Sequence, residues 1–204
     1  MPHAMNHGES GHYMRDCCGQ LHMTIRQVSS RVVYRNRWMT VREDEIQRDN
    51  GEQGIYGVVE KADGAVVIAI EGDSIYLVEQ YRYALGVKSL EFPQGSLERN
   101  DVDPVEIARQ ELSEETGLVA EGLEYLGEIY IACGYANQKT HAFVATGLRQ
   151  TVGTPDAEEH DLVVRKVTLA EFQRLIRDNA IKDAQTLAAW GLYLTRSAVA
   201  REVA

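Results

Sequence analysis

Three glutamates near the middle of the chain have the spacing of a metal site. Glu111, Glu114 and Glu115 are three and four residues apart or adjacent, so on a helix their carboxylates lie on one face. These like charges repel one another, and the C-terminal end of a helix disfavours negative charge further. A hard divalent cation relieves the repulsion, because Mg²⁺ prefers a few carboxylate oxygens together with waters and substrate phosphates. The alternative is a solvated acidic face, which is common on helices.

A helix must carry these acids, and the sequence marks both of its ends. Asp103 is a suitable N-cap, a proline follows at the first helical position, and Gly117 is a typical residue after the last turn. We expect the other side of this helix to present an apolar stripe that docks on a β-sheet. The stripe consists of Val105, Ala108 and Leu112.

The stretch 91–118 resembles the Nudix box, whose pattern is G-x5-E-x7-R-E-U-x-E-E-x-G-U, where U is an aliphatic residue. It reads EFPQGSLERNDVDPVEIARQELSEETGL, in which Gly95 matches the first glycine and 111–118 match the whole C-terminal half. A pattern of this length is far more specific than a lone glycine motif. The resemblance implies a phosphoanhydride hydrolase that acts on a nucleoside diphosphate linked to another group, with Mg²⁺ or Mn²⁺ as cofactor.

The chain departs from the family pattern at two positions. Gln110 stands where the family has arginine, although Arg109 lies next to it, and Val102 falls on the position of the early glutamate. Losing both residues is consistent with the linked replacement of one structural contact or with weakened catalysis. Since the three helical acids remain, we expect an active enzyme. The alternative is a catalytically weakened nucleotide-sugar-binding module.

The resemblance also assigns roles to the matching residues. In the family, the backbone carbonyl just before the box glycine binds a metal, and here that carbonyl belongs to Gln94. The resemblance makes Glu111 and Glu115 metal ligands, with Glu114 assisting. Glu115 is therefore predicted to be both a metal ligand and a catalytic residue.

A second motif precedes the box. Gln80-Tyr81-Arg82 resembles a Q-aromatic-R run of the ADP-ribose pyrophosphatase group, which implies that Arg82 contacts the substrate diphosphate or an acid of the site. A guanidinium fork suits phosphate oxygens, and a surface salt bridge is the alternative. We expect Glu91 to accept a hydrogen bond from Arg82 or to lie in the outer shell of the metal.

Two tyrosines are further candidates for substrate contact. Tyr135 belongs to the loop 133–137, which resembles a pocket-lining loop of the same group. Tyr56 and Trp38 have rings that can stack on a base, although a core position is the more common place for such rings. In the same loop as Tyr135, Cys133 is predicted to be an ordinary buried thiol.

The polar segment 151–161 is rich in acids and is predicted to be a loop. In the ADP-ribose group, a glutamate on the corresponding loop acts as a base or as a further metal ligand, and Glu159 and Glu158 are the candidates here. Solvated loop charges explain either residue equally well. His160 is a weaker candidate for the base, because the relatives use a carboxylate.

The loop sequence Pro-Gln-Gly at 93–95 does not decide between two classes of substrate. The ADP-ribose group usually has Pro-Ala-Gly there, and Pro-Gln-Gly also occurs in Nudix enzymes that cleave dinucleoside polyphosphates or RNA 5′ ends. The predicted substrate is ADP-ribose or a related nucleoside diphosphate sugar, which would be hydrolysed to a nucleoside monophosphate and a sugar phosphate. The alternative is a dinucleoside polyphosphate or RNA 5′-end pyrophosphohydrolase.

The whole pattern predicts an α/β fold, with a Nudix-type mixed β-sheet sandwiched between helices and a small N-terminal antiparallel sheet. Short turn signals separate runs of strand residues, and the apolar run 65–70 is typical of a buried central strand. We expect a flexible tail at 1–28, an N-terminal sheet extension at 29–62 and a Nudix domain at 63–204. In the ADP-ribose group, such an extension builds a homodimer.

Composition restricts the partners and the compartment. The formal net charge of −10 and the pI of about 5.1 argue against a basic nucleic-acid-binding surface. The three cysteines do not form a disulfide framework, and no apolar run approaches the ~20 residues of a membrane span. We therefore expect a cytoplasmic homodimer that binds a small-molecule nucleotide sugar, and neither nucleic acid nor membrane.

Overall fold

The structure, a computed structural model, describes residues 14–15, 21–22, 25–96, 102–151 and 161–202. In chain order the strands are β1 (Met14–Arg15), β2 (Leu21–His22), β3 (Ile25–Arg35), β4 (Thr40–Arg48), β5 (Gln53–Glu60), β6 (Gly64–Glu71), β7 (Ser74–Arg82), β8 (Val87–Glu91), β9 (Gln94–Ser96), β10 (Leu118–Tyr130), β11 (Lys139–Gln150) and β12 (Val163–Thr168). The helices are α1 (Pro104–Thr116), α2 (Leu169–Arg177) and α3 (Ala184–Glu202).

The central sheet is mixed and has seven strands. Its main path runs β10-β11-β6-β7-β12, with β8 added to β7 and β9 added to β6. The β11–β6 pair is parallel, and the other pairs are antiparallel. Helix α1 packs on one face of this sheet, and α2 and α3 pack on the other. The predicted mixed sheet between helices is therefore confirmed.

Strand β6 contributes to the hydrophobic cores on both faces of the sheet. Ala65, Val67 and Ala69 belong to the core under α1, and the alternating residues Val66 and Ile68 belong to the core under α2 and α3. All five side chains are fully buried. Burial on both faces explains why this strand is almost entirely apolar in sequence.

Helices α2 and α3 cover the second face. The Thr168 hydroxyl accepts a hydrogen bond from the Glu171 N–H at 3.1 Å and so caps α2. Phe172 of α2 stacks on Phe92 and meets Trp190 of α3 edge-on, with ring centroids 5.1 and 5.0 Å apart. Within the described ranges, no helix has the length and apolar character that crossing a membrane requires.

Helix α1 begins and ends where the sequence predicts. The Asp103 side chain accepts a hydrogen bond from the Val105 N–H at 2.9 Å. Gly117 adopts the left-handed conformation with φ of 68°, and its N–H donates to the Ser113 carbonyl. Both ends are thus set by local contacts, which is why local sequence signals locate them.

The apolar face of α1 differs from the predicted stripe at one position. Ala108 and Leu112 are buried as expected, but Val105 is 36% exposed and Ile107, at 2%, takes its place against the sheet. Val105 lies in the first turn, next to the exposed cap residue Asp103. The first buried residue of the helix is therefore Ile107, at the end of its first turn.

The same buried face of α1 includes two of the acids. Ile107, Glu111 and Glu115 are four residues apart and form one column along the helix. Glu111 and Glu115 are buried, whereas Glu114 remains partly exposed. The expected separation of an acidic side from an apolar side is therefore wrong for the two buried acids.

Strands β3, β4 and β5 form the predicted small antiparallel sheet. Strand β3 begins at Ile25, inside the range 1–28 that the sequence predicts as a tail, because it pairs along the full length of β4. Strands β1 and β2 form a separate two-stranded pair. Strand β5 binds the loop between β10 and β11, since the Val59 N–H donates to the Tyr135 carbonyl at 2.7 Å.

Truncating two side chains of α1 tests which face of this helix meets the sheet. Ile107→Ala removes a buried side chain and should lower the free energy of unfolding by about 2–5 kcal/mol. Val105→Ala removes an exposed one and should change it by less than about 1 kcal/mol. Urea denaturation followed by circular dichroism measures both values. Equal losses in the two variants would contradict the observed orientation of α1.

Candidate active site

The box glycine and the acidic column of α1 share one small volume. A β-carbon added at Gly95 would lie 2.5 Å from the carboxylate carbon of Glu111. A β-carbon added at Gly64, on the neighbouring strand β6, would lie 2.5 Å from the Gly95 carbonyl oxygen. Only glycine leaves room for this close approach of loop, strand and carboxylate.

Glu115 binds the same loop from the next turn of α1. Its Oε2 accepts a hydrogen bond from the Gln94 N–H at 2.8 Å. Strand β9 pairs with β6, and the Pro93 carbonyl accepts from the Val67 N–H at 2.9 Å. The loop is therefore fixed by the sheet on one side and by the helix on the other.

The Gln94 side chain points into the protein and joins two further acids. Its Nε2 donates to Glu91 Oε2 at 2.6 Å and to Asp183 Oδ2 at 3.1 Å. The residue is buried. Internal contacts thus account for glutamine at this position, so Pro-Gln-Gly needs no explanation by a particular substrate.

Arg82 holds Glu91 through two nitrogens. Its Nε donates to Oε1 at 2.9 Å, and Nη2 donates to Oε2. Burial raises the pKa of Glu91, but the hydrogen bonds and charge of Arg82, with hydrogen bonds from Ser89 and Gln94, outweigh it and place the pKa below its ordinary value. Arg82 therefore contacts an acid of the site, which is one of the two contacts that the sequence predicts.

Negative charge is concentrated around the loop. Glu91, Glu111, Glu115 and Asp183 adjoin it, and Arg82 supplies a positive charge among them. The hydrogen bonds from Arg82 to Glu91 raise the pKa of Arg82 despite burial, and the charges of Glu91, Glu115 and Asp183 raise it further. A bound divalent cation would reduce the repulsion among these carboxylates further.

The residues fit a hard divalent cation of the Mg²⁺ type. Glu111 and Glu115 offer carboxylate oxygens, and the glycine beside them keeps the loop backbone within reach. In the part of the chain that the structure describes, no three acidic, histidine or cysteine side chains form a group that holds a metal ion by itself. Mg²⁺ commonly takes one or two carboxylates and completes its shell with waters and substrate phosphates.

The two positions that depart from the family pattern have structural explanations. Val102 packs against the hydrophobic core under α1. The Gln110 side-chain amide donates to the Glu114 carboxylate at 3.1 Å, so a neutral amide contacts that acid at the position where the family has an arginine. Arg109 does not replace it, because its guanidinium donates to the Ala120 carbonyl of β10 at 3.1 Å.

The predicted loop carboxylates Glu158 and Glu159 lie outside the described residues. The described residues that flank this segment form hydrogen bonds with α1 and with β7. The Thr151 N–H donates to the Gly117 carbonyl at the end of α1, at 2.7 Å. On the other flank, Asp161 Oδ2 accepts from the Tyr81 N–H at 3.0 Å, within the motif that precedes the box.

The aromatic candidates lie at the surface. Tyr56 donates its hydroxyl to the Gly134 carbonyl at 2.6 Å and so ties β5 to the loop that contains Tyr135. Tyr56, Tyr135 and Trp38 are all exposed, so the core position that is more common for such rings is wrong for Tyr56 and Trp38. Cys133 of the same loop is also exposed, and the expectation of a buried thiol is wrong because this loop lies over β5 rather than in the core.

A cleft of about 430 Å³ lies between the N-terminal sheet and the segment 91–96, which contains the box glycine and is called the box loop below. Trp38 forms part of its wall and is 49% exposed, with the Arg37 guanidinium carbon 4.2 Å from the ring centroid. Glu60 and Asn137 add polar groups, and Ser96 directly follows the box glycine. The cleft is therefore lined both by Ser96, next to the box glycine, and by an aromatic ring.

Family models match nearly the whole described chain. A model of the NUDIX domain matches residues 60–190, and a model of the nucleoside diphosphate sugar hydrolase N-terminal domain matches residues 25–59. The chain belongs to the NUDIX family and is a Nudix hydrolase. The two matched ranges meet at the end of β5, where the N-terminal sheet gives way to the central sheet.

Individual relatives cover most of the chain. One from Bacillus methanolicus, named methanol dehydrogenase activator, is 30% identical over 166 residues, which are 80% of this chain and 89% of the relative. An ADP-ribose pyrophosphatase from Mycobacterium tuberculosis is 29% identical over 164 residues, 79% of each chain. The fold is similar to a crystal structure of an ADP compounds hydrolase, with a TM-score of 0.75 and 23% identity, covering 88% of this chain and 96% of that one.

The sequence does not identify two residues that bind the box loop. Asp183 contacts Gln94, and the Thr186 hydroxyl accepts from the Phe92 N–H at 2.9 Å. Asp183 has only the ordinary signal of an N-cap before a helix. Nothing local in the sequence connects that cap to a loop some 90 residues away.

Replacing the box glycine tests how closely the loop must approach α1. Gly95→Ala places a β-carbon against the Glu111 carboxylate. We expect kcat to fall about 100-fold, since displacing reacting groups by ~1 Å has an effect of that order. Steady-state kinetics on a nucleoside diphosphate sugar measure the loss.

A matched glycine substitution in α3 serves as the control. Gly191 has open space around its missing β-carbon. Gly191→Ala should keep wild-type turnover and raise helix stability slightly. Wild-type kcat in Gly95→Ala would contradict the contact described here.

Proposed function

We propose that this chain hydrolyses the diphosphate bond of ADP-ribose or a related nucleoside diphosphate sugar. The products are a nucleoside monophosphate and a sugar phosphate. The observation that carries the proposal is the docking of Glu111 and Glu115 on the Gly95 loop. This contact gathers hard oxygen ligands beside Arg82 and an open cleft, an arrangement that suits a diphosphate and its cation.

The comparisons support this substrate class. Residues 25–59 match a domain of nucleoside diphosphate sugar hydrolases, and one of the relatives is named an ADP-ribose pyrophosphatase. The competing substrates, dinucleoside polyphosphates and RNA 5′ ends, had their support in the Pro-Gln-Gly loop. The inward hydrogen bonds of the Gln94 side chain give this loop sequence a structural role that does not depend on the substrate.

Three groups are the proposed ligands of Mg²⁺ or Mn²⁺. They are the Gln94 carbonyl and the carboxylates of Glu111 and Glu115, with Glu114 assisting from the exposed edge of α1. When bound there, the ion offsets the negative charge that develops on the diphosphate during hydrolysis. Glu115 is catalytic in the sense that it holds this ion against the reacting group.

Arg82 orients the diphosphate in this proposal. Glu91 holds its guanidinium through two hydrogen bonds, so the group is already in place when substrate binds. The Arg82 side chain is 37% exposed, which leaves part of the fork available to phosphate oxygens.

Glu159, or Glu158, is the proposed general base. It would orient or deprotonate the water that attacks a phosphorus of the diphosphate. Support comes from the flanks of its loop: Thr151 binds the end of α1, and Asp161 binds the strand that leads to Arg82.

The cleft next to the box loop is the proposed place of the nucleoside or sugar. Its aromatic wall at Trp38 suits a base, and Glu60 with Asn137 suits hydroxyl groups. Tyr56 and Tyr135 lie along the loop that borders β5 and are proposed to contact the substrate there.

A homodimer formed through the N-terminal sheet is also proposed. Every residue of β3 is exposed, and the strand carries five large apolar side chains. An exposed apolar surface of this kind is typical of an interface. These side chains are Ile25, Val28, Val32, Val33 and Tyr34.

A cytoplasmic location stays a prediction.

A substrate panel tests the proposed function. Purified chain is incubated with Mg²⁺ and ADP-ribose, GDP-mannose, other nucleotide sugars, NADH or diadenosine polyphosphates, and products are identified by chromatography. We expect AMP and ribose phosphate from ADP-ribose, with turnover abolished by a chelator, because without a cation the carboxylates of the site repel the diphosphate. Varying base and sugar separately shows which end of the substrate the cleft selects.

Two outcomes of the panel would contradict the proposal. Preference for the diadenosine compounds would show that the substrate class is wrong. No turnover of any compound, with the chain folded and Mg²⁺ present, would favour a binding role and direct attention to Gln110 and Val102.

A further inference from the structure

The start of α3 holds the box loop from the other face of the sheet. Asp183 Oδ2 accepts three hydrogen bonds, from the Thr186 N–H and hydroxyl, each at 2.8 Å, and from Gln94 Nε2 at 3.1 Å. The Thr186 hydroxyl in turn accepts from the Phe92 N–H at 2.9 Å. Two residues of the loop are thus tied to one turn of α3.

These contacts go beyond helix capping. An N-cap side chain satisfies the N–H groups of its own helix. Here the fully buried Thr186 uses its hydroxyl as donor to the cap and as acceptor from the loop backbone. Asp183 reaches past the helix to the side chain of Gln94.

Gln94 is consequently held from two helices at once. Its N–H is bound by Glu115 of α1, and its side-chain amide is bound by Asp183 at the start of α3. With the backbone nitrogen and the side chain both fixed, little rotation of this residue remains. The direction of its carbonyl is therefore set by the pairing of β9 with β6 together with the contacts to α1 and α3.

We propose that Asp183 and Thr186 are positioning residues that orient the Gln94 carbonyl toward the bound cation. This inference rests on the proposed function, in which that carbonyl is a metal ligand. Removing an outer-shell partner of a metal ligand typically changes metal affinity or activity by about 10–100-fold.

Two variants separate positioning from capping. Asp183→Ser keeps a hydroxyl that can cap the Thr186 N–H but is too short to reach Gln94. Thr186→Val keeps the shape of the side chain and removes the acceptor for the Phe92 N–H. Asp183→Asn is the conservative variant, because a single oxygen accepts all three bonds. Thr195→Val is the control for Thr186→Val, because it makes the same Thr→Val change on the exposed side of the same helix.

Titration of the full chain with Mn²⁺, followed by electron paramagnetic resonance of the free ion, measures metal affinity without substrate. We expect Asp183→Ser and Thr186→Val to weaken Mn²⁺ binding about tenfold or more. Their kcat should fall by a similar factor, whereas KM should change by less than about threefold. Asp183→Asn and Thr195→Val should bind Mn²⁺ like the wild type.

Wild-type Mn²⁺ affinity in Asp183→Ser or in a folded Thr186→Val chain would overturn the inference. An equal loss in Thr195→Val would also overturn it, since it would indicate general loosening of α3. If Thr186→Val does not fold, Asp183→Ser decides the question because its cap is retained. Wild-type chain that binds Mn²⁺ but hydrolyses no nucleoside diphosphate sugar would contradict the proposed function, and the titration would still decide the positioning role.

Discussion

The contact between the buried carboxylates of α1 and the box loop is the constraint on which the rest of the structure depends. Burying Glu111 and Glu115 is unfavourable unless their charge is balanced and their oxygens are hydrogen-bonded. The Gln94 N–H supplies one such bond, and the missing side chain of Gly95 supplies the space. Arg82 supplies a positive charge beside these acids, and a bound cation would reduce their mutual repulsion further.

Three layers of the fold meet at this loop. Its strand β9 pairs with β6 of the central sheet, α1 binds the loop from one face of the sheet, and α3 binds it from the other face. The N-terminal sheet then closes a cleft beside it, with Trp38 in the wall. In the proposed function, the loop held by three elements binds the diphosphate, and the adjoining cleft is where related enzymes of one family can differ in the nucleotide that they accept.

Local sequence signals predict those parts of the fold that local contacts determine. Asp103 and Gly117 mark the ends of α1 because capping involves only neighbouring residues. The side of α1 that meets the sheet was harder to predict: Ile107 replaces Val105 because the position of the helix on the sheet, not its periodicity, determines what the first turn buries. The contact of Asp183 with the loop could not be predicted, since tertiary packing alone brings these residues together.

Anomalous diffraction from crystals of the chain containing Mn²⁺ most directly tests whether α1 and the box loop form a metal centre. We expect the strongest anomalous peak at ~2.0–2.6 Å from oxygen atoms of Glu111, Glu115 and the Gln94 carbonyl, the distances typical of divalent cations. A peak elsewhere, with Glu115 still bound to the Gln94 N–H, would show that these acids stabilise the loop rather than a cation.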